Sequence, residues 1–289
     1  MSTPDDATAR LVQRMWAPPT PPRRGPKPGL SVDRIIEAAY ELAEAEGIEA
    51  VSMARLGSSL GVSAMALYRH VSNKDELLTL LADRLARDLP PIGDVATWRE
   101  GLDLWTRAQI MMVLEHPWFL DLPLSTVMPG PHRLRWIDSL FGLLAETPLS
   151  VDEKFAFAGL LAQHVLGEAR ILVESQRAAA AAEPGAATSA DPFGDLGTLL
   201  HAFADPADFP HLMAAIETAE GETRVPVMPP DAAAAVEEEI TFGLNVVLDG
   251  LEAYVAGRQA ASPPSSAASP DSAASSGSAT PSSDGAATA

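Results

Sequence analysis

The stretch from Ser31 to Leu85 constrains the fold more than any other part of the chain. Serines stand at positions 31, 52, 63 and 72, each just ahead of a short segment whose apolar residues recur at helical spacing. Serine is favoured there because its hydroxyl accepts a hydrogen bond from a backbone N–H two or three residues on, satisfying a donor the helix cannot. Gly47 and Gly61 stand where the first two segments end, supplying C-terminal caps. The first helix carries Ile35, Ala39 and Leu42 on one face, with Ile36 and Ala43 beside them. The second turns Leu56 and Leu60 inward, and the third Leu67 and Val71. Ser72 with Asp75 reads as a capping box opening a fourth, with Leu77, Leu78, Leu81 and Leu85 as its apolar set. A segment capped this often forms a bundle of short helices, and Pro90-Pro91 closes it.

Helical periodicity continues over 96–115, 117–124, 131–146, 152–180, 207–219 and 232–257. The one strand-like run, VPVMPP, is too short and too rich in proline. The expected class is all-α: a small four-helix unit over 23–90, including a basic arm, and a larger six-helix unit over 91–258. Residues 1–22 and the Ala/Ser/Pro-rich residues 259–289 are expected to be disordered tails, because such compositions bury too little apolar surface to offset their ordering entropy. The stretch RAAAAAEPGAATSADPFGD reads as a mobile loop between helices. The 289 residues include no Cys, which excludes disulfides, thiolate metal sites and cysteine nucleophiles. No apolar run reaches the roughly 18 residues that a bilayer span needs, and the start lacks the basic-then-apolar order of a secretory signal. A soluble cytoplasmic protein without a membrane partner is expected.

Charge is unevenly spread. The chain carries a net −19, yet from Arg23 to Lys74 seven Lys/Arg stand against six Asp/Glu, while from Pro91 onward nine stand against 27. The first quarter is therefore nearly neutral and compatible with a polyanion. A helix of about eight residues, a Gly-containing turn and a second short helix match helix-turn-helix geometry. Leu56, Leu60, Val62 and Leu67 can close its core, leaving Ala64, Met65, Tyr68 and Arg69 outside. The alternative is an ordinary helical hairpin inside a bundle.

The stretch "SMARLGSSLGVSAMALYRHVSNKDELL", Ser52 to Leu78, closely resembles the signature of the tetracycline-repressor (TetR) family of transcriptional regulators. "EHPWFL" (Glu115–Leu120) and "FGLNVVLDGLEAYV" (Phe242–Val255) look like the ligand-binding domain of the tetracycline-repressor subgroup, so the resemblance spans roughly residues 30–257. It implies a homodimer that places its N-terminal units in successive major grooves of a palindromic double-stranded operator. A small effector bound in the C-terminal unit would release it.

On that pattern Ala64, Met65 and Ala66 face bases, while Tyr68, Arg69, His70 and Lys74 face phosphates, with Ser52 and Ser63 as caps that share donors with phosphate. Ala and Met reach thymine methyl groups but make none of the bidentate bonds that read bases strongly. Ala54 stands where relatives often place Arg, and Arg55 partly replaces it. "PPRRGPKPGL" puts Arg23, Arg24 and Lys27 in an extended arm suited to an adjacent minor groove, or alternatively in a solubilising linker.

In the second unit Trp105, Gln109, Met112, Trp118, Trp136, Phe141, Phe157, Gln163, His164 and Glu168 suit a pocket for a flat, largely apolar, antibiotic- or metabolite-like effector, and equally suit a helical core. Tetracycline-binding members ligate magnesium through a His where this chain reads "DLPLSTVMPG", so no metal or cofactor is expected. His116 reads as a cap or core residue. Gly159, Gly167, Phe242, Gly243, Val246, Val247, Gly250 and Leu251 fit a four-helix dimer interface built from two helices per subunit. Two other readings remain. An all-α enzyme would use Asp205, Asp208 and His211, or Glu168 with His164, though neither set has a nucleophile–base–oxyanion arrangement. A DNA-binding architectural or activating protein would lack effector response. The reading adopted is a regulator without catalytic residues.

Overall fold

The computed structural model describes residues 6–16, 30–123, 128–181, 200, 202–221 and 232–261. Among these the regular structure is entirely helical, as the all-α expectation required. The helices are α1 (Asp6–Met15), α2 (Val32–Glu46), α3 (Met53–Leu60), α4 (Ala64–Leu67), α5 (Lys74–Ala86), α6 (Trp98–Glu115), α7 (Pro131–Leu143), α8 (Val151–Ala181), α9 (Pro210–Gly221) and α10 (Ala232–Ala261). Short 3-10 turns stand at Ile48–Ala50, Pro117–Asp121 and Pro206–Asp208. The arm residues Arg23, Arg24 and Lys27, and the 259–289 tail beyond Ala261, lie outside the described residues.

Three serine caps form as the sequence requires. Ser31 Oγ accepts from the N–H of Arg34 at 3.2 Å, Ser52 Oγ from Arg55 at 3.3 Å and Ser63 Oγ from Ala66 at 3.3 Å. The fourth differs. Asn73, not Ser72, is the N-cap of α5: its Oδ1 accepts from the N–H of Glu76 at 2.7 Å, and Glu76 Oε2 accepts from the N–H of Ser72 at 2.8 Å. Asn73 and Glu76 thus take the places expected of Ser72 and Asp75 in a capping-box exchange, with the return bond reaching the N–H of Ser72, one residue ahead of the cap. Asn is as good a cap as Ser, so composition could not separate the two.

The turn between α3 and α4 is tight. Gly61 sits at φ 69°, in the left-handed region that favours glycine, and Val62 N–H donates to Gly57 O at 2.8 Å. A Cβ on Gly57 would lie 2.9 Å from Val62 O and 3.2 Å from Ala64 N, so this close approach of two helices depends on glycine.

Residues 1–22 are expected to be disordered, but Asp6–Met15 forms a helix that docks. Met15 is buried, and its Sδ-methyl end packs where a Cβ on Gly130 would stand. Arg14 pairs with the buried Glu76 carboxylate. Leu11 packs against the same core; the amphipathic pattern of this segment is local, but the surface it docks on is set only by the tertiary fold.

Pro90-Pro91 lies between α5 and α6, yet no gap in packing follows it. One core runs from Ile35, Leu56, Leu67 and Leu81 of the first four-helix unit into Ile110, Val113, Trp118, Phe119, Val165 and Leu172. A second core joins Leu102, Trp105, Trp136, Leu140, Leu161, Leu244 and Leu248 of α6, α7, α8 and α10. Full burial of each such side chain is worth about 1.5–3 kcal/mol. α8 also differs from the expectation about membrane spans: Val151–Ala178 is long and apolar enough to cross a bilayer by length and composition, with mean hydropathy 1.3. Its apolar residues Phe157, Leu161, Val165, Ala169 and Val173 are spent on the two cores.

Candidate nucleic-acid interface and ligand cavity

The outer face of α3–α4 is where the sequence placed a reading head. Met65 is 71% exposed and Tyr68 46%, and Arg69 and Lys74 are exposed with no ion pair among the described residues. Ala66 and His70 are half-buried. Ala64 differs from the expectation of an outward residue, since it is half-buried against the core beside Gly57. Arg55 is exposed but tied to Glu46 by an ion pair, so its guanidinium is already partly committed. Being exposed, that pair is weak, and a phosphate would compete with it.

Two polar joints connect this unit to the rest. At the first, Glu44 Oε1 of α2 accepts from Trp118 Nε1 at 2.7 Å and lies 2.6 Å from His116 Nδ1. Tyr40 packs edge-on against both rings and under the Arg84 guanidinium, 4.6 Å from its ring centre. His116 and Trp118 thus belong to this joint, and the expectation that Trp118 faces a pocket is not met.

At the second joint, α7 begins at Gly130 with no side-chain cap of its own. Asp83 of α5 supplies it from outside: its carboxylate accepts from the backbone N–H of His132 at 3.1 Å and of Arg133 at 3.0 Å, and lies 2.9 Å from His132 Nδ1. Asp83 is 5% exposed. A Cβ on Gly130 would fall 2.4 Å from the Asp83 carboxyl carbon, so glycine is what allows the carboxylate to come this close. A negative charge against a helix N-terminus is stabilised by the unpaired N–H groups and the helix dipole.

Between these joints lies a cavity of about 400 Å³, within the range of sites for drug-sized ligands. α5 and the turn after it contribute Ala82, Ala86 and Leu89. α6 contributes Trp105, Gln109, Met112 and Val113, and the following turn Phe119. Arg133, Trp136 and Ile137 come from α7, and Phe155, Ala158, Gly159, Ala162, Val165 and Leu166 from α8. Trp105 and Trp136 stack, with ring centres 5.6 Å apart and planes 14° off parallel. Trp105 Nε1 donates to the Trp136 carbonyl at 2.9 Å, and Gln109 Nε2 to the Trp105 carbonyl at 3.3 Å.

Of the residues expected around a ligand, Trp105, Gln109, Met112 and Trp136 meet at this cavity. Phe157 does not: it is buried in the second core with its ring edge toward Tyr254. Phe141 packs on the cavity residue Phe155 from behind. Gln163 is exposed, while His164 and Glu168 face α10, where a Cβ on Gly243 would lie 3.2 Å from His164 Cε1. Burial holds the His164 imidazole below its ordinary value. The sequence does not single out Arg133, Ile137, Phe119, Phe155 and Ala162, because a basic, small or apolar residue on a helix gives no pocket signal until the tertiary fold places it. Asp205 caps its own turn by accepting from the N–H of Ala207 at 2.9 Å, and Asp208 and His211 are exposed beside it.

The residues expected at a dimer interface divide. Phe242 is 76% exposed and Val246 58%, and Gly250 and Gly167 open to solvent. Leu251 is buried, and Val247 and Gly243 are half-buried between α8 and α10. Gly159 lines the cavity instead. Leu160 and Ile171 of α8 and Tyr254 of α10 extend the exposed apolar surface, with Tyr254 donating to Glu153 at 2.6 Å.

Comparisons with known proteins agree with this architecture. Residues 35–81 match the family described as bacterial regulatory proteins, tetR family, and residues 90–255 match the tetracyclin repressor-like C-terminal domain. The HTH-type transcriptional repressor DrrR1 of Streptomyces coeruleorubidus is 31% identical over 258 residues, covering 89% of this chain and 90% of its own. Apo ActR from Streptomyces coelicolor superposes with a TM-score of 0.58 at 26% identity, covering 80% of this chain and 98% of that one. The same protein in complex with actinorhodin gives 0.58 at 27% identity, with 78% and 99% covered.

Proposed function

The chain belongs to the TetR family of bacterial regulatory proteins, and from that premise we propose that it is a ligand-responsive repressor that binds a palindromic operator as a homodimer. The observation that carries the effector-responsive part is the shared wall of the cavity. Ala82 and Ala86 of α5 face the same space as α6, α7 and α8, and Asp83, between them in sequence, caps α7. A ligand that displaces α7 or α8 therefore acts on the helix whose first residue, Lys74, stands beside the reading head. Relatives support the two halves of the proposal separately: one is named a repressor, and another is seen with actinorhodin bound.

Phosphate contacts come from Tyr68, Arg69, His70 and Lys74, with Ser52 and Ser63 at the helix caps and Arg55 once released from Glu46. Base contacts from Met65 and Ala66 are apolar and weak, with Ala64 turned to the core, so the arm residues Arg23, Arg24 and Lys27 supply minor-groove reading and DNA shape the remainder. Dimerisation uses the exposed face of α8 and α10 carrying Leu160, Gly167, Ile171, Phe242, Val246 and Gly250. The acidic remainder of the chain discourages non-specific adhesion to DNA.

Fluorescence anisotropy on palindromic duplexes from the DNA flanking the protein's own gene tests this. If Arg23, Arg24, Lys27, Arg69 and Lys74 all engage, a dimer neutralises up to ~10 phosphates and log K falls with log salt at a slope near about −9. A slope shallower than about −4 would show that most of these contacts are not made. No binding to any flanking palindrome at low salt would overturn the repressor reading.

A further inference from the structure

The cavity wall is polarised in one direction. Among the described residues that line it, Arg133 is the one that carries a charge, and no Asp or Glu joins it. Arg133 Nη1 is buried and has no hydrogen-bond partner among the described residues, and the indole N–H of Trp136, in the same wall, is buried without an acceptor as well. Both orphaned groups are donors. The carboxylate whose charge acts on it, Asp83, is committed to the His132 and Arg133 backbone N–H groups and to the His132 ring rather than to the guanidinium. Burial pulls the Arg133 guanidinium below its ordinary value, against the opposing pull of Asp83. A guanidinium keeps its charge in proteins, so the burial leaves a cation poorly solvated in a largely apolar space, which is costly until an acceptor arrives.

We infer that the effector of this cavity is an acid: a flat aromatic molecule bearing a carboxylate or similarly ionised acceptor group that pairs with Arg133 while its rings lie among Trp105, Trp136, Phe155 and Met112. This rests on the reading of the cavity as the effector site. Arg is suited to the role because its planar fork meets a carboxylate with two parallel N–H bonds. Apart from Gln109, whose amide N–H is committed to the Trp105 carbonyl, and the Trp136 indole N–H, the remaining wall is apolar and aromatic, so the anion supplies most of the chemical selectivity. Leaving the charge of either partner unmatched restores the desolvation cost, so a neutral analogue of equal size is rejected.

The test uses the full chain and a matched pair of probes, anthraquinone-2-carboxylate and anthraquinone-2-carboxamide, with binding read from quenching of tryptophan fluorescence. A charge-assisted hydrogen bond in a buried site corresponds to at least about a tenfold preference for the acid. That preference is expected to vanish in Arg133→Met and to return in part in Arg133→Lys, with circular-dichroism melts confirming that each variant folds. The wild-type comparison stands even if a variant does not fold. Equal affinity of acid and amide for the wild-type protein would overturn the inference. So would quenching by neither probe; operator release by a neutral compound would then leave the repressor reading intact and refute only the acidic effector.

Discussion

Replacing Asp83 with Ala removes the one side-chain cap that α7 has among the described residues, and its cost can be worked from the contacts. Two backbone N–H groups, of His132 and Arg133, lose an acceptor held at 3.0–3.1 Å in a site where Asp83 is 5% exposed. Loss of an N-cap typically costs about 1 kcal/mol. Removing the negative charge from the helix N-terminus adds about 0.3–1 kcal/mol, and leaving partly buried donors unsatisfied adds roughly 1 more. The His132 ring contributes little, because its side chain is 31% exposed and can turn to water. A loss of about 2–3 kcal/mol is expected for Asp83→Ala, and about 1 for Asp83→Asn, which keeps one acceptor oxygen but not the charge. Urea unfolding followed by circular dichroism measures both, provided the slope is unchanged. Fraying of α7 also moves Arg133 out of the cavity wall, so probe affinity should fall alongside stability. An Ala variant within about 0.5 kcal/mol of wild type would refute the assignment of Asp83 as the cap.

Other expectations follow from single contacts. Gly57→Ala puts a methyl group 2.9 Å from Val62 O and 3.2 Å from Ala64 N, both backbone atoms; the turn must shift, costing about 1–3 kcal/mol, and operator affinity in anisotropy should fall with thermal stability. Arg23→Ala with Arg24→Ala should weaken specific operator binding at least as much as Met65→Ala, and the opposite ranking would return base reading to α4. His164 has its value lowered by burial, so the fold favours the neutral ring; its contribution is full above the unfolded value of about 6.5 and is lost as pH falls through the folded one. The loss of melting temperature between pH 7.5 and 5.5 should accordingly shrink in His164→Gln, and an unchanged loss would show that the ring does not titrate there.

The helices were legible because their signals are local. Ser31, Ser52 and Ser63 bond within three residues, and Gly61 adopts a left-handed conformation that glycine reaches without a steric penalty. The long helices α6, α8 and α10 were placed within a few residues by periodicity alone. What needed the tertiary fold was missed. Pro90-Pro91 separates α5 from α6 where the sequence sets a boundary, but the sequence does not show that Leu81 and Val113 share one core across it. Arg133 looks like an ordinary surface cation until Asp83 fixes the start of α7 and turns it to the cavity. His164 and Glu168 share a helix face, as their spacing required, but that face meets Gly243 of α10 rather than the cavity. Spacing states which residues lie together on a helix, and not what the helix packs against.

A ligand-responsive repressor requires that the α5–α8 cavity and the α3–α4 reading head be energetically coupled. Linkage requires that an effector weaken operator binding by the same factor by which operator weakens effector binding. The direct measurement is the dissociation constant of the tighter quinone probe, read by tryptophan quenching with the protein free and with it saturated by its operator duplex. A weakening of at least about fivefold on DNA, matched by the same factor in the operator titration, is expected. Equal probe affinities for the free and the DNA-bound protein would contradict the coupling, however tightly the cavity binds.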